Sequence, residues 1–290
     1  TCATSTSGEV WCWGDNGHGE LGDGTVINKS APVKVVGLTG TAIAVAASTD
    51  HTCALNSGAT VQCWGNNNKG QLGNNTTNAS LTPVTVRTAA TSLTFVLGIS
   101  AGSRFACARR ANDVYCWGSN SSGELGNLGT TDSSVAVLVS GLGSTAEVAQ
   151  GASHSCARLS TGAVQCWGAN SYGQLGDSST TDRTSPVAVF ATSNAAKLSA
   201  LGAATCIRTA TGATSCFGRN NFGQLGNGTL TDSSVPIAIV GLSASSIGAG
   251  VSFGCAVIDN AIKCWGLNTQ GQLGDGTITN RSAPVRVILP

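Results

Sequence analysis

The stretch "VQCWGNNNKGQLG" at Val61–Gly73 recurs five more times, as "VWCWGDNGHGELG", "VYCWGSNSSGELG", "VQCWGANSYGQLG", "TSCFGRNNFGQLG" and "IKCWGLNTQGQLG". The cysteine before the aromatic falls at Cys12, Cys63, Cys116, Cys166, Cys216 and Cys264, in steps of 51, 53, 50, 50 and 48 residues. A unit repeated at this period buries its apolar face by stacking on its neighbours. Each unit reads alike. An alternating apolar segment such as "TAIAVAA" is followed by a second that carries a cysteine, then by a tight "NSGA" or "STGA" turn. A third segment carries the second cysteine and the aromatic, and a Gly/Asn/Gln loop leads to a fourth, such as "LTPVTV". Short alternating runs bounded by Gly, Asn, Ser and Thr are strand signals. Four antiparallel strands per unit, repeated, is the grammar of a β-propeller. The expected fold is therefore all-β, one β-propeller domain over 1–290, with repeats at approximately 1–41, 42–94, 95–145, 146–195, 196–245 and 246–290.

The ends depart from this regularity. "TCATSTSGEVWCWG" enters at a second-type strand, so the first repeat lacks its first strand, and the chain closes on the fourth-type segment "APVRVILP". An unpaired strand edge is a template for association. The expectation is that the native protein continues beyond these termini, or that a neighbouring chain or domain supplies the strand. The chain does not begin with Met and shows no signal peptide, which fits a mature protein or a piece of a longer one.

Twelve cysteines fall into six pairs: Cys2/Cys12, Cys53/Cys63, Cys107/Cys116, Cys156/Cys166, Cys206/Cys216 and Cys255/Cys264. Each pair spans one hairpin turn. Opposed residues at a non-hydrogen-bonded antiparallel site have Cα atoms about 4.5 Å apart, a separation a disulfide tolerates. Zinc is the rival reading, but structural zinc sites want CxxC-like knuckles and four convergent ligands, whereas these pairs lie in different repeats. Free thiols are the remaining alternative. Disulfides are the expected state, and they imply a secreted, extracellular or cell-surface protein, with the periplasm as a further option.

The pattern "VxCWGxNxxGQLGxGT…P" followed by "IAAGxxHxCAL" resembles the regulator of chromosome condensation repeat family, over essentially the whole chain and six times over. The resemblance implies a propeller, typically of seven blades, so a seventh is open for the full-length protein. The founding activity of that family, nucleotide exchange on a nuclear GTPase, depends on loop residues and a wedge-like insertion that this chain lacks. Exchange is therefore the less favoured expectation.

Comparison of the repeats with one another separates scaffold from candidate site. Positions that recur serve the blade: Asn16, Asn67, Asn120, Asn170, Asn220 and Asn268, then Glu20, Gln71, Glu124, Gln174, Gln224 and Gln272. They read as ties for buried backbone groups in the loop, with one metal or sugar per blade as the alternative. Trp13, Trp64, Trp117, Trp167 and Trp265, with Phe217 in the fifth repeat, read as packing between blades. One slot varies: His18, Lys69, Ser122, Tyr172, Phe222 and Gln270. Tyr172 and Phe222 lie in adjacent repeats, and Arg219 and Asn221 flank the second. In a chain with 5% aromatic residues this is a candidate binding patch. The candidate rim residues are His18, Lys69, Tyr172, Arg219, Phe222 and Gln270. A second variable slot holds His51, Phe105, His154, Ala204 and Phe253, of which "SRF" at Ser103–Phe105 is a weaker patch candidate.

Only 10% of residues are charged, the net charge is +1, and no basic stripe appears, so nucleic acid is not an expected partner. No apolar run is long enough to cross a bilayer, so no membrane insertion is expected. Three histidines in different repeats and the absence of GxSxG, HExxH or phosphate-loop motifs point away from an enzyme, a metal site and a cofactor. "GDGT" at Gly22–Thr25 and Gly274–Thr277 reads as a turn rather than a calcium loop. Seven Asn-x-Ser/Thr sequons occur, at Asn28, Asn74, Asn75, Asn78, Asn120, Asn227 and Asn280. The expected function is an extracellular binding, adhesion or recognition module that presents variable loops to a protein or glycan. The alternative is a structural subunit of a surface fibre or filament, completed by a neighbour's strand.

Overall fold

Strands form where the alternation places them. The computed structural model of the chain describes residues 1–288; Leu289 and Pro290, the end of the expected sixth repeat, lie outside the described residues. Blade 1 contains β1 (Cys2–Thr4), β2 (Val10–Gly14) and β3 (Lys29–Lys34); blade 2 contains β4 (Ala42–Ala47), β5 (His51–Asn56), β6 (Val61–Gly65) and β7 (Ser80–Thr85). Blade 3 contains β8 (Val96–Ala101), β9 (Phe105–Arg110), β10 (Asp113–Gly118) and β11 (Ser133–Leu138). Blade 4 contains β12 (Thr145–Gln150), β13 (His154–Leu159), β14 (Val164–Gly168) and β15 (Arg183–Ala188). Blade 5 contains β16 (Ala195–Leu201), β17 (Ala204–Thr209), β18 (Ala213–Gly218) and β19 (Ser233–Ser243); blade 6 contains β20 (Ser246–Ala249), β21 (Phe253–Ile258), β22 (Ala261–Gly266) and β23 (Arg281–Arg286).

The strands of each blade pair in sequence order, and the described residues form no helix. The fold is all-β, a β-propeller of six blades. Five blades have four strands, and the first has three, with β1 at its edge. The chain divides into two compact units, Thr1–Val148 and Ala149–Pro290, with the boundary inside β12.

All six cysteine pairs are disulfides. Each joins directly opposed residues of its hairpin, as in Cys53 against Cys63, with Cα atoms 4.0 Å apart there and 4.1 Å in blade 4. No free cysteine remains.

The repeated letters also explain how neighbouring blades pack within each unit. Leu72, Val86, Leu93, Val96 and Trp117 share one core cluster between blades 2 and 3, and Leu225, Ile239, Leu242 and Trp265 share one between blades 5 and 6. The Gly after Leu72 and the Gly after Leu225 make room for the aromatic of the next blade. A Cβ on Gly73 would lie 2.8 Å from the Trp117 ring, and one on Gly226 would lie 2.8 Å from that of Trp265. Both glycines also have positive φ, which a larger residue adopts only with strain. The tryptophans do more than pack. Trp64 Nε1 donates to the Glu20 carbonyl at 2.8 Å, Trp117 to that of Gln71 at 2.9 Å, and Trp265 to that of Gln224 at 2.9 Å. Phe217 cannot donate; there the Gln174 carbonyl keeps the Thr205 hydroxyl at 3.0 Å, the counterpart of the Thr52 hydroxyl that joins the Trp64 indole on the Glu20 carbonyl at 2.9 Å.

Candidate functional site

The loop after each third strand is built on one buried asparagine. In blade 2, Asn67 Nδ2 donates to the carbonyls of Thr76 (3.0 Å) and Asn78 (2.9 Å), and its Oδ1 accepts from the Leu72 N–H at 2.9 Å. In blade 4, Asn170 does the same with Ser179 and Thr181, both at 3.1 Å, and with Leu175 at 3.0 Å. The Gln or Glu four residues on turns back to its own loop. Gln71 Oε1 accepts from the Lys69 N–H at 2.8 Å, Gln174 from Tyr172 at 2.9 Å, and Gln224 from Phe222 at 2.8 Å. These side chains are engaged in holding backbone, so the loop presents its variable slot on a fixed frame.

The slot residues meet different fates. His18 turns onto its own loop, with Nδ1 3.1 Å from Glu20 Oε1. Lys69 reaches blade 3, where Nζ lies 3.0 Å from Asp132 Oδ2. Gln270 is exposed, and Phe222 is half-buried. Tyr172 is half-buried beneath Arg219 of blade 5, whose guanidinium carbon sits 4.8 Å from the ring centroid. The structure thus brings Tyr172 and Arg219 together. The guanidinium makes no hydrogen bond or ion pair among the described residues, so its N–H donors stay available.

The loop turns carry carboxylates that sequence reasoning left as turn residues. Asp177, in blade 4, accepts from the Ser179 hydroxyl at 2.7 Å and from Arg183 Nε at 2.9 Å. Burial opposes its ionisation, but these donors outweigh burial and hold the carboxyl below the usual carboxylate range. Asp275 in blade 6 pairs the same way with Thr277 and Arg281, and the Thr277 hydroxyl leads the groups that draw its pKa down to about 2. The repeats co-vary. Where this turn has Asp (Asp23, Asp177, Asp275), the residue six further on is Lys29, Arg183 or Arg281. Where it has Asn (Asn74, Asn127, Asn227), that residue is Ser80, Ser133 or Ser233. Each such carboxylate has its cation in the protein. No group of three or more His, Cys, Asp or Glu that could hold a metal ion occurs among the described residues.

The second variable slot is interior. Phe105 is 1% exposed, so the weaker patch expected at Ser103–Phe105 is corrected: its aromatic fills core. His51 and His154 are both fully buried. His154 Nε2 lies 2.8 Å from Thr205 Oγ1, whose one proton goes to the Gln174 carbonyl, so His154 is the donor and carries its proton on Nε2. Burial pushes its pKa down to about 4. Of the sequon asparagines, Asn120 is fully buried, as the loop anchor of blade 3.

A repeated blade with an Asn-anchored loop and an aromatic that reaches the preceding blade defines one class of β-propeller, in which a constant frame carries a variable slot. The chain belongs to the RCC1-like domain family, whose model matches residues 1–289. Among curated relatives, the Protein RCC2 homolog of Danio rerio is 42% identical over 86 residues, 29% of this chain and 17% of that protein. The chain spans between 2% and 30% of the length of the curated relatives it matches. Among solved structures, human WBSCR16 has a TM-score of 0.88 at 22% identity, covering 100% of this chain and 79% of that one. Yeast RCC1 (Prp20), crystallised with Kap60, has a TM-score of 0.85 at 21% identity, covering 99% and 72%. The ectodomain of the Physcomitrella patens receptor kinase CR4 has a TM-score of 0.54 at 22% identity, covering 91% and 58%.

Proposed function

We propose that the chain is a recognition module of an oxidising compartment, secreted or at a cell surface, and that the junction of blades 4 and 5 is its contact point. The carrying observation is the guanidinium of Arg219 held 4.8 Å over the Tyr172 ring, with its N–H donors unclaimed. Stacking fixes a flexible side chain in advance, which lowers the entropy lost on binding. Six disulfides support the compartment, because such bridges do not persist where thiols are kept reduced. Yeast RCC1 (Prp20), crystallised bound to Kap60, is compatible with a protein as ligand, and the CR4 ectodomain supports use of the fold outside the cytosol. Binding fits better than catalysis, since His51 and His154 are buried and the exposed His18 is turned onto Glu20 of its own loop.

The test is a screen of immobilised protein against protein and glycan arrays. The double variant Tyr172→Ala/Phe222→Ala, and separately Arg219→Ala, should lose at least tenfold in affinity for any hit while the melting temperature stays within a few degrees. Hits that bind all variants as well as the parent would remove this surface from consideration. The open edge of β1 favours a second reading, in which a strand from a neighbouring molecule completes the first sheet. A monomer in solution with β1 amides protected from exchange would defeat it.

A further inference from the structure

Blade 3 carries a second arginine–aromatic group, at the end of its strands away from the loop slots. Phe95 immediately precedes β8 and is 69% exposed. Its φ is +61°, a left-handed value that a bulky residue adopts only with strain and that a glycine would adopt freely. The backbone on both sides is pinned. Leu93 N–H donates to the Val86 carbonyl at 2.9 Å and Val96 N–H to the Ala59 carbonyl at 3.0 Å, and the Leu93 and Val96 side chains are buried. The strain at Phe95 is thus imposed by its neighbours, and its own side chain gains little burial in return. What the phenyl ring does have is a partner in Arg110, at the end of β9. The Arg110 guanidinium carbon lies 5.8 Å from the Phe95 centroid and 5.8 Å from that of Tyr115 on β10. One guanidinium is flanked by two rings, and it makes no hydrogen bond or ion pair among the described residues. Asp113 opposes Arg110 in the β9–β10 register, yet the two form no ion pair. Leu97, also exposed, extends the apolar edge.

We infer that Phe95, Arg110 and Tyr115 form a docking point for an acidic segment of a partner protein, one with a carboxylate next to an aromatic or aliphatic side chain. The carboxylate would accept two N–H bonds from the Arg110 fork, and the apolar neighbour would cover Phe95 and Leu97. The charge of the site selects the occupant: a fixed cation with free donors faces solvent between apolar surfaces. A strained, exposed aromatic is a feature that folding disfavours, and a binding role accounts for it. The site does not depend on the blade 4 and 5 junction.

The experiment pans a random 12-residue peptide library on the immobilised chain, then measures synthetic peptides from the enriched pool by calorimetry. Enrichment of Asp or Glu beside Phe, Leu or Ile is expected. Arg110→Ala and Phe95→Gly should each weaken those peptides at least tenfold, while Arg219→Ala leaves them unchanged. Gln and Asn versions of the peptides should bind at least tenfold more weakly. Phe95→Gly should raise the melting temperature, because it relieves the left-handed strain, so its binding loss will not reflect misfolding. Peptides that bind Arg110→Ala and Phe95→Gly as well as the parent overturn the inference, as does a pool without acidic enrichment. Self-association in sedimentation that disappears in Phe95→Gly also overturns it, by making a second copy of the chain the occupant.

Discussion

In blade 2 the loop after β6 ends its slot side chain, Lys69, on the Asp132 carboxylate of blade 3, whereas in blade 4 the matching loop after β14 lays Tyr172 beneath Arg219 of blade 5. The two loops share an anchor, Asn67 or Asn170, and the same tie from a glutamine to the slot N–H. They differ in what they leave over. The Lys69 charge is matched inside the protein, at a half-exposed site where such a pair contributes only about 0–1 kcal/mol. The Arg219 charge is oriented but unmatched, and stacking of this kind contributes about 0.5–1 kcal/mol at an exposed site. Stability is similar in the two designs, and the availability of donors is not. That difference, rather than the shared frame, is where recognition can reside.

The largest expected effect tests the shared frame. Asn170→Ala and Asn67→Ala each remove a buried side chain that serves two carbonyls and one N–H, and each leaves those groups without partners. A buried unsatisfied group costs about 1–3 kcal/mol, so each variant should lose about 3–5 kcal/mol in urea unfolding with the disulfides intact. Near-equal losses are expected, since the frame is the same. A loss in one loop alone would separate the two designs at the level of the scaffold.

A second effect belongs to the blade 4 and 5 side alone. His154 is buried with its pKa lowered to about 4, against 6.5 when unfolded. As pH falls from 6.5 to 4 the unfolded chain takes up a proton that the folded chain refuses, so stability drops through that window and is fully present above it. A gap of this size corresponds to about 3 kcal/mol. His154→Phe, which installs the residue found at the equivalent Phe105, should lose about 3 kcal/mol less than the parent between pH 6.5 and 4. Equal pH profiles for parent and variant would refute this role of the buried imidazole.

Much of this was legible in the repeat. Six copies of one pattern fixed the strands, the hairpin disulfides and the missing first strand, because each depends on local order and spacing. They also separated Asn170 from Tyr172, since an anchor must recur and a slot need not. What stayed hidden depends on contacts between blades. That Lys69 is matched depends on Asp132, 63 residues beyond it. The indole bonds were masked by their packing role, and Phe217 carried no signal of them, because a threonine stands opposite it as Thr52 stands opposite Trp64. The Phe95 strain had no sequence signature, because a phenylalanine before a strand usually reads as core. Phe105 misled in the opposite sense, as an aromatic beside Arg104 in a turn that proves to be buried.

The smallest effect turns one loop into the other. Blade 4 has Asp177 and Arg183 where blade 2 has Asn74 and Ser80. Asp177 is 6% exposed and Arg183 is 37% exposed, so the two partners should respond unequally. Arg183→Ser leaves a nearly buried carboxylate held only by Ser179 and Asn170, and should cost about 1–2 kcal/mol at neutral pH. The carboxyl pKa would also rise. A carboxylate with a lowered pKa contributes stability above its unfolded value, lost as pH falls through the folded one, so this variant should lose less than the parent below about pH 4. Asp177→Asn leaves an arginine that can turn to water, and should cost less than Arg183→Ser. The double variant Asp177→Asn/Arg183→Ser recreates the blade 2 arrangement, in which Asn74 accepts from Thr76 and Ser80 bonds within its own strand. It should regain most of the stability lost by Arg183→Ser, giving a favourable coupling between the two positions in a double-mutant cycle. Purely additive costs would mean that the co-variation across the six repeats does not arise from charge pairing, and the two loops would then differ for a reason outside this turn.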